Sequence, residues 1–109
     1  MAHEVVGYVC THDTDAPSIQ VQLMVGILHA WAQDHGVTFA ATYHDYVGVP
    51  GSSQPGWVAL WTHCGTGQVK QIVILAPRWV RWPRDRYRRL ERRGIRVVSV
   101  WNETARLTE

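Results

Sequence analysis

Three short stretches hold most of the residues capable of chemistry: Cys10-Thr11-His12-Asp13, His44-Asp45 and Pro77-Arg78-Trp79-Val80-Arg81. The imidazole of His12 could accept a phosphoryl group or act as a general base; the competing reading is a polar residue that closes a strand–helix loop. Cys10 could be a nucleophile only as a thiolate, which needs nearby positive charge or a helix N-terminus. Its neighbours Asp13 and Asp15 are acidic, so a buried, inert strand cysteine is the better reading. His12, Asp13, His44 and Asp45 offer mixed nitrogen and oxygen donors to a divalent cation. No two histidines have the i, i+4 spacing of a helix-borne zinc site, and no metal or other cofactor is expected. His63 and Cys64 are adjacent on a helical stretch and therefore point in different directions. Arg78 and Arg81 read either as a paired anion site or as two solvated loop arginines.

The elements that must position these residues follow from periodicity and punctuation. Residues 4–10 (EVVGYVC) form a β-branched, apolar strand. After the polar break THDTDAPS, Asp15 or Ser18 can cap a helix whose first turn accepts Pro17. Met24, Ile27, Leu28 and Trp31 share one face of that helix, residues 19–35, and Gly36 stops it. Residues 37–43 read as a second strand. The Gly/Pro/Ser stretch 47–56 exceeds a usual connection and predicts a binding or mobile loop. A short helix over 55–64 buries Trp57, Leu60, Trp61 and Cys64 and ends at Gly65. Residues 69–76 form a third strand, a helix runs from Pro83 to Gly94 with Tyr87 and Leu90 as its apolar stripe, and residues 95–101 form a fourth strand. Residues 102–109 read as a loosely held tail.

This β-α-β-α-β-α-β order predicts one small doubly wound α/β domain with a mainly parallel four-stranded sheet and helices on both faces. In such sheets ligands lie beyond the carboxyl ends of the strands, where the three stretches above fall.

Composition narrows the options. The 109 residues are 46% apolar and 18% charged, enough for a compact core. No apolar run is long enough to span a bilayer, no secretory leader is visible, and the two cysteines fit no disulfide scaffold; a cytoplasmic protein without a membrane partner is expected. The net charge of +2 hides segregation: residues 1–69 contain no Lys or Arg and carry −5, while residues 70–109 carry +7. Residues 78–96 contain nine arginines against Asp85 and Glu91. Arg78, Arg81, Arg84, Arg86, Arg89 and Arg93 are candidate phosphate or DNA contacts. The alternatives are a solvated helix that balances the acidic half, or an acidic half that meets the basic half of a neighbour in a homo-oligomer. The preference for Arg over Lys is also what a GC-rich genome produces. Trp31, Trp57 and Trp61 sit on apolar helical faces and read as core, whereas Trp79 and Trp82 flank the basic stretch and are expected at an interface, and together with Tyr87 could stack on bases or sugars.

Taken together, Gly7-Tyr8-Val9 at the end of the first strand, Ser18-Ile19-Gln20-Val21-Gln22 opening the first helix, Asp45 before a Gly/Ser loop, Pro77-Arg78-Trp79-Val80-Arg81 and the Gly-Ile-Arg-Val-Val turn at 94–98 resemble the catalytic domain of serine recombinases, the resolvase and invertase family. The resemblance spans about residues 4–101. It implies a nucleophilic serine that attacks a DNA phosphodiester and arginines that stabilise the charge developing on phosphorus. Carried onto this chain, the serine position is His12 and the first arginine position is Cys10. Arg78 and Arg81 keep two of the family's arginines, Gln20 matches the helix-opening glutamine, and Asp45 matches the acid after the second strand. The family's long dimerising helix and DNA-targeting module have no counterpart in the sequence. Loss of one charge-stabilising donor typically costs ~10²–10³ in rate, and loss of the nucleophile closes the phosphoserine route. The resemblance thus implies a catalytically degenerate, DNA-associated or regulatory protein. The alternatives are a phosphoester-directed enzyme of altered chemistry using His12, and an oligomerisation or protein-interaction module.

Overall fold

The computed structural model describes residues 3–12, 17–46 and 54–101. Its elements are Glu4–Thr11 (β1), Pro17–Asp34 (α1), Phe39–Tyr46 (β2), Pro55–Cys64 (α2), Val69–Ile74 (β3), Pro77–Val80 (α3), Arg84–Arg92 (α4) and Arg96–Ser99 (β4). The four strands lie in the order β2-β1-β3-β4, and every pairing is parallel. The sheet is the α/β architecture read from the element order.

Period-two alternation in the central strands builds two cores, one on each face. Val6, Tyr8 and Cys10 of β1 join Ile72 and Ile74 of β3 under α2 and α4, against Trp57, Leu60, Cys64 and Leu90. Val9, Val73 and Leu75 face the other way, against Met24 and Leu28 of α1. A strand buried on both faces needs apolar residues in succession, which explains the continuous runs VVGYVC and IVIL. Gly7 marks the closest approach of α1 to the sheet: a side chain there would meet Leu28 Cδ1 at 3.1 Å.

Several boundaries move for identifiable reasons. β2 runs to Tyr46 rather than stopping at Tyr43, because His44, Asp45 and Tyr46 pair with Val9, Cys10 and Thr11; the ladder, and not polarity, decides where the strand ends. Gly65 remains helical, and the left-handed turn falls on Gly67, at φ 78°. A one-turn helix, α3, occupies the stretch expected as a loop, and Arg81 ends it in the left-handed conformation at φ 53°. Ser18 lies inside α1 rather than capping it. Asp15, residues 47–53 of the Gly/Pro/Ser loop and the tail 102–109 lie outside the described residues.

Trp82 is also corrected. It is 6% exposed and belongs to the core under α2 and α4, with its ring 5.0 Å from Tyr8, 5.2 Å from Trp57 and 5.5 Å from Tyr87. Trp79 is half-buried and packs on the α1 side, 6.1 Å from Trp101. Both are cornerstones of packing, so stacking of Trp82 on a base is ruled out by its position.

At the amino end of the sheet, a polar chain ties three elements together. The Tyr43 hydroxyl lies 2.8 Å from His63 Nδ1, and His63 Nε2 lies 2.8 Å from Glu4 Oε1. With Glu4 accepting from Nε2–H, Nδ1 accepts from the tyrosine, so one neutral tautomer satisfies both contacts.

Gly56 sets how closely α2 can approach β2. A Cβ there would lie 2.2 Å from the His44 carbonyl oxygen and 3.0 Å from Asp45 Cγ. Backbone cannot yield as a flexible side chain does, so Gly56→Ala is expected to destabilise the fold by about 2–3 kcal/mol, as overpacking does. Urea unfolding should show a lower midpoint at unchanged slope.

Candidate functional site

Two structures meet at the carboxyl end of the sheet: the β1 tip with the start of α1, and the α3 turn with α4. The backbone N–H of His12 donates to Gln20 Oε1 at 3.0 Å, which anchors the β1 tip to the first turn of α1. The His12 ring bonds through Nε2 to the carbonyl of Trp79, and its ring lies edge-on to the Trp79 indole at 5.9 Å. A carbonyl only accepts, so Nε2 is the donor in this contact. Trp79 sits between Arg78 and Arg81, so this bond brings the arginine-bearing turn to the position of His12. The two arginines are exposed.

Asp45 lies apart from that pair in role. It is 2% exposed, and its carboxylate accepts the N–H groups of Gly56 and Trp57, each at 2.7 Å, and the hydroxyl of Tyr8 at 2.5 Å. These two amides are among those that the first turn of α2 leaves without an intrahelical partner. Gln54, at the cap position, makes no side-chain cap bond. Asp45 therefore caps α2 from the neighbouring strand, at the positive end of the helix dipole. Three of the carboxylate's roughly four acceptor sites are thus used for structure.

The groups around Asp45 shift accordingly. Burial pushes the Tyr8 hydroxyl far above its ordinary range, and the Asp45 carboxylate adds to the effect. Tyr8 is thus a permanent donor. Burial, reinforced by the Asp45 charge, pushes the Cys10 thiol up to about 11. The position the resemblance matches to an arginine therefore holds a neutral thiol at physiological pH. Among the described residues no His, Cys, Asp and Glu side chains gather as a metal-binding group; Asp13 lies outside them.

The arginines divide into two sets. Arg86, on α4, is half-buried, with its guanidinium 4.2 Å from the Trp57 ring centre and Nη1 donating to Gln54 Oε1 at 2.7 Å. Burial lowers its pKa, while Tyr8 and Asp45 oppose that shift. Arg89 and Arg93 lie over Trp61 at 4.7 and 4.3 Å. Trp57 and Trp61 themselves stack at 5.6 Å. Three arginines at i, i+3 and i+7 therefore lie along a tryptophan pair at i, i+4, joining α4 to α2. Arg84, Arg88 and Arg92, at i, i+4 and i+8, form a separate exposed stripe. No local pattern encodes the indole–guanidinium ladder, because its two halves are some 30 residues apart in sequence, although each half's spacing is visible. Arg88 and Arg92 were not among the candidate contacts.

Removing the Asp45 carboxylate strands two buried amides and the Tyr8 hydroxyl, so Asp45→Ala should cost about 3 kcal/mol or more. Tyr8→Phe, which leaves the helix cap intact, should cost about 1–2 kcal/mol. Chemical denaturation of both variants checks the order. Thiol alkylation in the native state checks the second point: Cys10 should stay unreactive near neutral pH and react only on unfolding.

No protein-family model matches this sequence, and no curated protein matches it. A solved structure does: the C-terminal catalytic domain of ISC1926 TnpA, an IS607-like serine recombinase, superimposes with a TM-score of 0.75 at 15% identity, over 89% of this chain and 67% of that one. At that identity the likeness is one of fold, and this chain has the fold of a serine recombinase catalytic domain.

Proposed function

We propose that this chain is a catalytically degenerate, serine-recombinase-like protein that associates with DNA through its arginine-rich segment. The observation that carries the reading is the exposed stripe Arg84, Arg88 and Arg92, with Arg78 and Arg81 on the preceding turn. Guanidiniums stacked on indoles use their faces and keep in-plane N–H donors for phosphate oxygens, so Arg86, Arg89 and Arg93 can contribute at the margin of the same surface. Two further facts support the degenerate part. His12 stands at the nucleophile position with Nε2 committed to the Trp79 carbonyl. Asp45 is occupied as a helix cap. Cytoplasmic residence belongs to the same proposal; no helix among the described residues is long and apolar enough to cross a membrane.

Fluorescence anisotropy with a labelled mixed-sequence duplex tests this reading. If three phosphates are neutralised, log K should fall against log salt with a slope of about −2.7. Paired reversal, Arg84→Glu with Arg88→Glu, should flatten the slope and weaken binding on every sequence alike. Both side chains are exposed, so the fold should survive. No binding at low salt would sink the proposal. Hydrolysis of a phosphodiester that disappears in His12→Ala would favour the enzymatic reading instead.

A further inference from the structure

Tyr43, His63 and Glu4 form a connected cluster at the amino end of the sheet, away from His12 and the arginine-bearing turn. Three elements hold it. Tyr43 lies on β2, an edge strand of the sheet. His63 lies in the last turn of α2, and its carbonyl accepts both the N–H and the hydroxyl of Thr66. Glu4 opens β1, and its N–H donates to the Gln68 carbonyl at 2.8 Å. All three residues are half-buried, and each keeps part of its surface open to solvent.

The contacts run in the order of an activated nucleophile: a hydroxyl, a base, and an acid that orients the base. The Tyr43 hydroxyl donates to His63 Nδ1 at 2.8 Å, and His63 Nε2 donates to Glu4 Oε1 at 2.8 Å. Both lie within the ~2.6–3.2 Å reach that general-base proton transfer needs. Because Glu4 accepts from Nε2–H, the lone pair of the imidazole faces the phenolic proton. Burial holds the Tyr43 hydroxyl above its ordinary range, and Cys64 and Glu4 add to the effect. Tyr43 is therefore a neutral phenol near physiological pH and attacks only where a base removes its proton. Charge selects the electrophile. Among the described residues no Lys or Arg bonds to any of the three, so an anionic phosphodiester finds the Glu4 carboxylate and no cation. A neutral carboxylic ester needs no such cation to approach.

We propose that Tyr43 is a nucleophile toward small activated carboxylic esters, with His63 as its general base and Glu4 as the positioning residue that holds the imidazole. The Tyr43 oxygen bonds to the carbonyl carbon while its proton passes to His63 Nδ1. The bond from that carbon to the aryloxy leaving group breaks, and the imidazolium gives the proton to the departing phenolate. The products are an acylated Tyr43 and a free phenol. The cluster shares no residue with the arginine surface and stands or falls separately from DNA binding.

Reaction of the full chain with p-nitrophenyl acetate, followed by peptide mapping, tests it. Tyr43 should gain one acetyl group faster than Tyr46 and Tyr87, which are also half-buried. A general base contributes ~10²–10⁴ in rate, so His63→Ala should slow acetylation of Tyr43 about 100-fold or more. Glu4→Gln, which leaves the base in place without its anionic partner, should slow it about tenfold or more. In heavy water Tyr43 should react more slowly in the wild type, and that isotope effect should vanish in His63→Ala and shrink in Glu4→Gln, which a merely structural role would not produce. Lys70, exposed and the only lysine, is the internal reference: its labelling should stay constant across the variants, as should circular dichroism. If His63→Ala unfolds, Glu4→Gln decides by the same comparison. Acetylation of Tyr43 no faster than that of Tyr46 would overturn the proposal. So would acetylation at the wild-type rate in a folded His63→Ala or Glu4→Gln protein.

Discussion

The buried carboxylate of Asp45 is the constraint on which the rest of the carboxyl edge depends. A charge that is 2% exposed must be answered within the protein, and residues 1–69 offer no Lys or Arg to do it. The answer comes from two helix amides, a tyrosine hydroxyl and, at longer range, the half-buried Arg86. One carboxylate thereby fixes the start of α2 against β2 and places Tyr8 in the core. It fixes Trp57 too, since the amide it holds belongs to that residue.

From Trp57 the constraint passes to the basic half. Trp57 and Trp61 present their faces to Arg86, Arg89 and Arg93. Each such contact is worth about 0.5–2 kcal/mol according to how far it is desolvated. Few apolar residues are available on α4 to dock it: Leu90 is buried and Tyr87 half-buried. Stacking lets a helix crowded with positive charge pack on an aromatic surface without neutralising that charge. Among the described residues the acidic and basic halves of the chain are therefore joined through aromatic rings and the Arg86–Gln54 hydrogen bond rather than through ion pairs. The His63–Glu4 contact lies within the N-terminal half.

The strands and the long helices were legible because their signals are local. VVGYVC, IVIL and the Met24–Leu28 stripe carry their own periodicity, and right-handed crossovers limit the topologies open to them without fixing the strand order. What was not legible is long-range. Asp45 caps a helix that begins ten residues later on another element, so a search for caps in adjacent sequence reads it as a free acid. Trp82 stands between Arg81 and Pro83, surroundings that imply solvent, yet three aromatic rings from distant segments enclose it. The nearness of His12 to the Arg78–Arg81 turn follows from their common place at the carboxyl edge of the sheet and from the resemblance; the residue that makes the contact, Trp79, contributes a backbone carbonyl, which no side-chain pattern encodes.

Packing and phosphoryl-transfer chemistry make different demands on the tip of a strand. An attacking group needs an available lone pair, and an oxyanion needs charged or dipolar donors aimed at it. At position 10 this chain has a thiol held neutral by burial, with its pKa near 11. At position 12 it has an imidazole in place of a hydroxyl, with Nε2 held by a carbonyl and Nδ1 outside that contact. Neither residue weakens the sheet: Cys10 fills the core beside Tyr8, and His12 links β1 to α3. Packing requirements at the strand tip are met by different residues from those that catalysis would require. The sheet, the cap on α2 and the arginine surface of α4 can therefore persist together while the residues at the tip vary.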